Sequence, residues 1–143
     1  MTTTKGKYII GGLWGVGFLA LFILMTAQTI NDAFAPRTQE AWEWFTPNIL
    51  PTIGLIVGIL VAGWAKAAPI GEVDDSVQIN PLLVGLTFIF SLTHLAILLI
   101  IILIAANKSP VDETFRSLKS ANLPLGAIQG LVTLTLGIFF RKG

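Results

Sequence analysis

The chain contains no cysteine and a single histidine, and only 12% of its residues are charged. The missing cysteines exclude disulfides, thiol redox chemistry and thiolate metal sites, and they leave no mark of the redox compartment. The shortage of charge is more informative. Soluble domains carry about a quarter charged residues, and a chain that is 54% hydrophobic has too few polar groups to cover a surface facing water. A formal charge of +1, with no dense run of Lys or Arg, provides no footprint for nucleic acid.

The charges that do occur are segregated. Nine Lys and Arg and eight Asp and Glu fall in the terminal tails and in three connecting segments. A charge at the centre of a bilayer costs roughly 2.5–3.5 kcal/mol, so this pattern is the one expected when the surrounding solvent is a lipid bilayer. Four uncharged apolar runs remain, at 8–30, 49–65, 81–106 and 123–140. We expect an all-α integral membrane protein: one domain over 1–143, folded as a four-transmembrane-helix bundle of up-down topology with short connections and assembled into a homo-oligomer.

The first run, Tyr8 to Ile30, is long enough at ~1.5 Å per residue to cross roughly 30 Å of hydrocarbon. Lys5 and Lys7 ahead of it, and Ala33-Phe34-Ala35 behind it, resemble a signal peptide. The run exceeds the about 7–15 residues of a signal core, however, and Pro36 follows the small-residue triplet, so a retained helix is expected. The second run, Ile49 to Ala65, is near the short limit for a span, about 17 residues. Pro51 is expected in its first turn, where a missing N–H does no harm. The third run starts with an Asn80 cap and Pro81 at the first helical position. The fourth is closed by Arg141 and Lys142.

An even number of spans places both termini and the second loop on one side, with Lys5, Lys7, Lys66, Arg141 and Lys142. Arg37, Lys108, Arg116 and Lys119 fall on the other side. This small excess of positive charge points to cytoplasmic termini in the cell (inner) membrane.

The connecting segments carry their own signals. Trp42, Trp44 and Phe45 stand among Glu40 and Glu43 in the loop 31–47, and Trp64 lies at the far end of the second run. Trp42, Trp44 and Trp64 read as interfacial anchors; a surface for a protein partner is the alternative reading of that loop. Residues 110–120 read as a short amphipathic helix on the membrane surface, begun by Ser109 and Pro110, with Val111, Phe115 and Leu118 on one face and an Asp112–Arg116 pair on the other. It either anchors the fold or docks a partner. Glu72, Asp74 and Asp75 in the second loop lack the spacing of a calcium loop, and a solvated acidic loop is expected there.

Inside the runs, small residues recur four apart: Gly11 and Gly15, Gly54 and Gly58, Gly126 and Gly130. In lipid, helices associate through close backbone approach and dispersion, which such pairs permit. They serve packing within the protomer, association between protomers, or both. Thr87, Ser91 and His94 fall on one side of the third helix, and Gln129 and Thr133 on one side of the fourth. Intramembrane ionisable residues generally face a bundle interior or a water-filled cavity. His94 is therefore either a pore-lining or pH-sensing imidazole or a neutral ring bonded to a neighbouring helix. Ligation of a metal or haem is a third reading and would need His94 from several protomers.

No enzyme is expected, because the runs hold no Asp or Glu and one His, short of the paired groups that acid–base chemistry needs. No cofactor is called for. Two function classes remain. One is a homo-oligomeric ion channel or pore lined by the polar faces of the third and fourth helices. The other is a non-conducting membrane subunit that anchors or assembles a partner through 31–47 or 110–120.

Overall fold

The computed structural model of the protein describes residues 3–66, 80–107 and 111–141, whose regular structure is entirely helical. Five helices follow in order: α1 (Thr3–Ile30), α2 (Thr38–Lys66), α3 (Pro81–Ala106), α4 (Val111–Ser120) and α5 (Asn122–Arg141). Among the described residues three stretches are long and apolar enough to cross a membrane: Gly6–Ile30, Pro81–Ala106 and Asp112–Phe139, the last running through α4 into α5. The acidic loop with Glu72, Asp74 and Asp75, and the Ser109-Pro110 start signal, lie outside the described residues.

α1 ends in a Schellman motif. Asp32 adopts φ 55°, and the N–H groups of Asp32 and Ala33 reach back to the carbonyls of Thr29 and Gln28, which satisfies the last turn. The chain then re-enters helix at Thr38, well before the Ile49 start expected from hydropathy. Residues 38–48 are helix rather than loop because they carry a buried stripe of helical spacing, Ala41, Trp44, Phe45 and Asn48, continuing to Thr52 and Ile56. Pro51 is consequently interior to α2, not in its first turn, and Pro47 lies inside the helix as well. α3 is capped by the Asn80 side chain, which accepts from Leu82 N–H at 3.0 Å, with Pro81 at the first position.

α3 packs against α5, α1 and α4, and α2 packs against the same three. The long helices therefore contact one another in the closed order α1–α3–α5–α2, with α4 lying across the end where α1 stops and α2 begins. α4 buries Thr114, Phe115 and Leu118. Its Asp112 does not pair with Arg116 as the spacing implies. Asp112 instead accepts from Arg37 at 2.9 Å across the corner, because Arg37, held at the α1–α2 turn over the Phe115 ring (4.5 Å to the centroid), is within reach of it.

The outward faces are apolar too. Val16, Ile23, Ile89, Ile100 and Leu134 are exposed, as expected when the solvent is hydrocarbon and not water. The pairs Gly54–Gly58 and Gly126–Gly130 do not make close helix contacts. A Cβ added at Gly15, Gly54, Gly58, Gly126 or Gly130 would meet nothing within 4 Å, and Gly11 is half-buried. The close approach is at Gly17, where a Cβ would come within 2.6 Å of Leu95 Cδ1 on α3.

Candidate functional site

The polar residues inside the helices are organised by Pro51. Proline has no N–H, so the carbonyl of Pro47, one turn earlier on α2, loses its helical partner. A carbonyl freed in this way needs a donor from elsewhere, and a side chain of a neighbouring helix can supply it. Gln129 of α5 does so, its Nε2 donating to Pro47 O at 3.3 Å. The next carbonyl, Asn48 O, lies 3.0 Å from His94 Nε2 of α3. The carbonyl accepts, so Nε2 is the donating nitrogen. Asn48 itself donates from Nδ2 to Trp44 O at 2.7 Å. Two side chains from two helices thus brace α2 where the proline interrupts it.

His94 is fully buried, and the Trp14 ring of α1 packs beside it with centroids 5.8 Å apart and planes inclined by 35°. Thr87 and Ser91 are equally buried along the same stripe, and the Thr87 hydroxyl donates to Leu83 O at 2.8 Å. The stripe expected to line a conduit therefore faces the interior of one protomer. That burial, with Nε2 already engaged, turns His94 toward the interior of its own protomer. Among the described residues no group of three or more His, Asp or Glu is placed to hold a metal ion.

A second polar feature faces outward. Between α2 and α5 runs a valley of about 710 Å³ lined by Pro51, Gly126, Gln129, Gly130, Thr133 and Gly137. Thr133 is exposed in it and Gln129 half-buried. Gly54 and Gly58 continue the Pro51 face of α2 at helical spacing, and both are exposed.

A third lies at the α1–α2 turn. Arg37 grips Glu40 with both arms, at 2.6 and 2.7 Å, in addition to Asp112. The hydrogen bond from Arg37 is the main cause holding the Glu40 carboxyl below its ordinary range, and Glu40 in turn raises the Arg37 guanidinium. Clefts of about 490 and 240 Å³ flank this cluster, one lined by Arg37, Arg116 and Lys119, the other by Glu40, Glu43 and Trp44.

The expected anchors behave differently from one another. Trp42 is half-buried, donates from Nε1 to Thr29 Oγ1 at 3.1 Å and meets Phe22 edge-on at 5.6 Å, which staples α1 to α2. Trp44 is only 7% exposed, so it packs against protein and cannot sit among headgroups. The Trp64 side chain lies outside the described residues. Pattern reading missed Trp14, Thr52 and Gly17 and the role of the Pro47 and Asn48 carbonyls; a proline interior to an apolar run was the signal available for the last two. Comparison with protein-family models, curated proteins and solved structures finds no match for this chain.

Proposed function

We propose that the chain is a four-span, up-down membrane protein of the cell (inner) membrane, with both termini cytoplasmic, that assembles with copies of itself into an ion channel or pore. The observation that carries this reading is the α2–α5 valley. Exposed glycines at 54, 58, 126 and 130 leave open space beside the backbone, and Thr133 is exposed on a helix whose other outward residues include Leu131 and Leu134. Lipid tails supply no partner for such groups, whereas a second protomer offers close backbone approach and hydrogen bonds. A ring of protomers places Thr133, and the amide capacity of Gln129 not used by Pro47, along the space between them.

Native mass spectrometry from nanodiscs, followed by conductance recording in planar bilayers, tests the proposal. A defined assembly of three or more protomers and a conductance altered by Thr133→Val support it. A clean monomer, or an assembly that stays electrically silent, overturns it.

The non-conducting subunit has a specific observation in its favour: the Thr87–Ser91–His94 stripe is internal, and charged side chains crowd the clefts at the start of α2 and on α4. Under that reading the valley or the corner receives a helix or loop of another protein, and reconstituted protein carries no current.

A further inference from the structure

Four polar atoms at the junction of α1, α2 and α3 are buried without a partner: Trp14 Nε1, Thr52 Oγ1, Ser91 Oγ and His94 Nδ1. All four residues are 0% exposed. Helix register gathers them. The Trp14 and His94 rings are neighbours, and His94 Nε2 touches Asn48 O. Thr52 is one turn beyond Asn48 on α2, and Ser91 is one turn before His94 on α3. The Arg37–Asp112 pair joins the start of α2 to the segment just after α3, so α2 and α3 run antiparallel. Both steps then lead the same way along the molecule and bring the two hydroxyls to one level.

Five other hydroxyls in the helices, Thr26, Thr87, Ser117, Ser120 and Thr135, bond to the carbonyl four residues back at 2.8–3.0 Å. Thr52 and Ser91 make no such bond. Buried polar groups left unpaired are costly, and native interiors retain few of them.

The chemistry of the four atoms selects the ligand. With Nε2–H donated to Asn48 O, the Nδ1 of the neutral ring can only accept. The Trp14 indole N–H can only donate, and each hydroxyl can do either. An anion would call for donors throughout and a cation for acceptors throughout. The geometry points to an internal hydration site, a resident water held among Trp14 Nε1, His94 Nδ1, Ser91 Oγ and Thr52 Oγ1. A buried water makes about three hydrogen bonds, within a range of two to four, and this set supplies them. The site belongs to a single protomer and is independent of the assembly proposed above. It ties α1 and α3 to α2 at the turn that follows the Pro47–Asn48 carbonyls.

The test uses the full chain in lipid nanodiscs with indole-¹⁵N tryptophan, the Trp14 signal being assigned by its loss in Trp14→Phe. Magnetisation transfer from water to the Trp14 N–H is expected, and it disappears in the Thr52→Val/Ser91→Ala variant. That double variant is nearly isosteric, and its apparent Tm supplies an independent sign. If the water is present, the variant strips it of partners, and Tm falls together with the water signal. Overturning results are a wild-type Trp14 N–H with no water transfer while Trp42 shows it, or a double variant whose Tm rises because two dry, unpaired hydroxyls have been removed.

Discussion

Pro51 shows how one residue's missing atom sets the duties of residues far away in the chain. Its lack of an N–H leaves Pro47 O to Gln129, and His94 takes the neighbouring carbonyl of the same turn. The two bonds are not equivalent. Helix geometry offers Asn48 O the N–H of Thr52 four residues on, whereas Pro47 O faces a proline and has no such donor, so Gln129→Leu strands Pro47 O. We expect Gln129→Leu to destabilise by about 0.5–1.5 kcal/mol, the net contribution of one hydrogen bond, because this bond lies at the protein surface. Pro51→Ala restores the missing N–H, so in that background the same substitution costs less. A double-mutant cycle on thermal or denaturant unfolding in detergent should show a coupling of about 0.5–2 kcal/mol between positions 51 and 129. Additive effects would mean that the bond from Gln129 contributes nothing.

At the scale of elements, α2 is the helix that departs furthest from a simple span. Its first turns are held by Arg37, which bridges Glu40 on α2 and Asp112 on α4, and by the Trp42–Thr29 bond to the end of α1. Glu40 makes this corner sensitive to acid. Its folded pKa is depressed, chiefly by the hydrogen bond from Arg37, so the folded state gains from the charged form at pH values above the unfolded glutamate pKa of about 4.3. That gain is lost as pH falls through the lower, folded value. Thermal unfolding followed from pH 7 downward should show Tm declining below about pH 4, and Glu40→Gln should flatten that part of the curve. A variant curve parallel to wild type throughout would exclude this contribution. α4 depends on the same corner, since its Phe115 ring lies under the Arg37 guanidinium.

For the whole molecule, the distribution of glycines separates folding from assembly. Gly17 is where α1 meets α3, and a Cβ there runs into Leu95. Gly17→Ala should therefore displace the buried Leu95 side chain and lower protomer stability by about 1 kcal/mol, the low end of overpacking because a side-chain tip and not backbone is in the way. Gly130 borders open space in the α2–α5 valley. Gly130→Leu should leave the protomer's Tm within the range of ordinary surface changes, about 0.5 kcal/mol, while shifting the distribution of assemblies in native mass spectrometry. A Gly130→Leu protein with an unchanged assembly profile would remove this valley from any interface between copies.

The sequence alone determined the element type and marked helices long and apolar enough to cross a membrane. Long uncharged runs, charges confined to their ends, and the Asn80-Pro81 start are local in the chain, and the energy of placing charge in lipid acts on each run separately. The apolar stripe of α4 was legible for the same reason. Tertiary structure decided which polar atoms meet. Pro51 reads from the sequence as a harmless first-turn proline; only the longer α2 of the structure puts it inside the helix and frees the Pro47 carbonyl, and which side chain reaches that carbonyl depends on how α3 and α5 pack around α2. Thr87, Ser91 and His94 share a face by helical periodicity, yet periodicity does not say whether that face turns toward a neighbouring helix or a conduit. Likewise the small-residue pairs mark where backbones are able to approach, whereas Gly17 marks where the Leu95 side chain of α3 fits against α1. Side-chain chemistry is written residue by residue. Contact depends on the relative rotation of whole helices, which only the sum of their packing energies fixes.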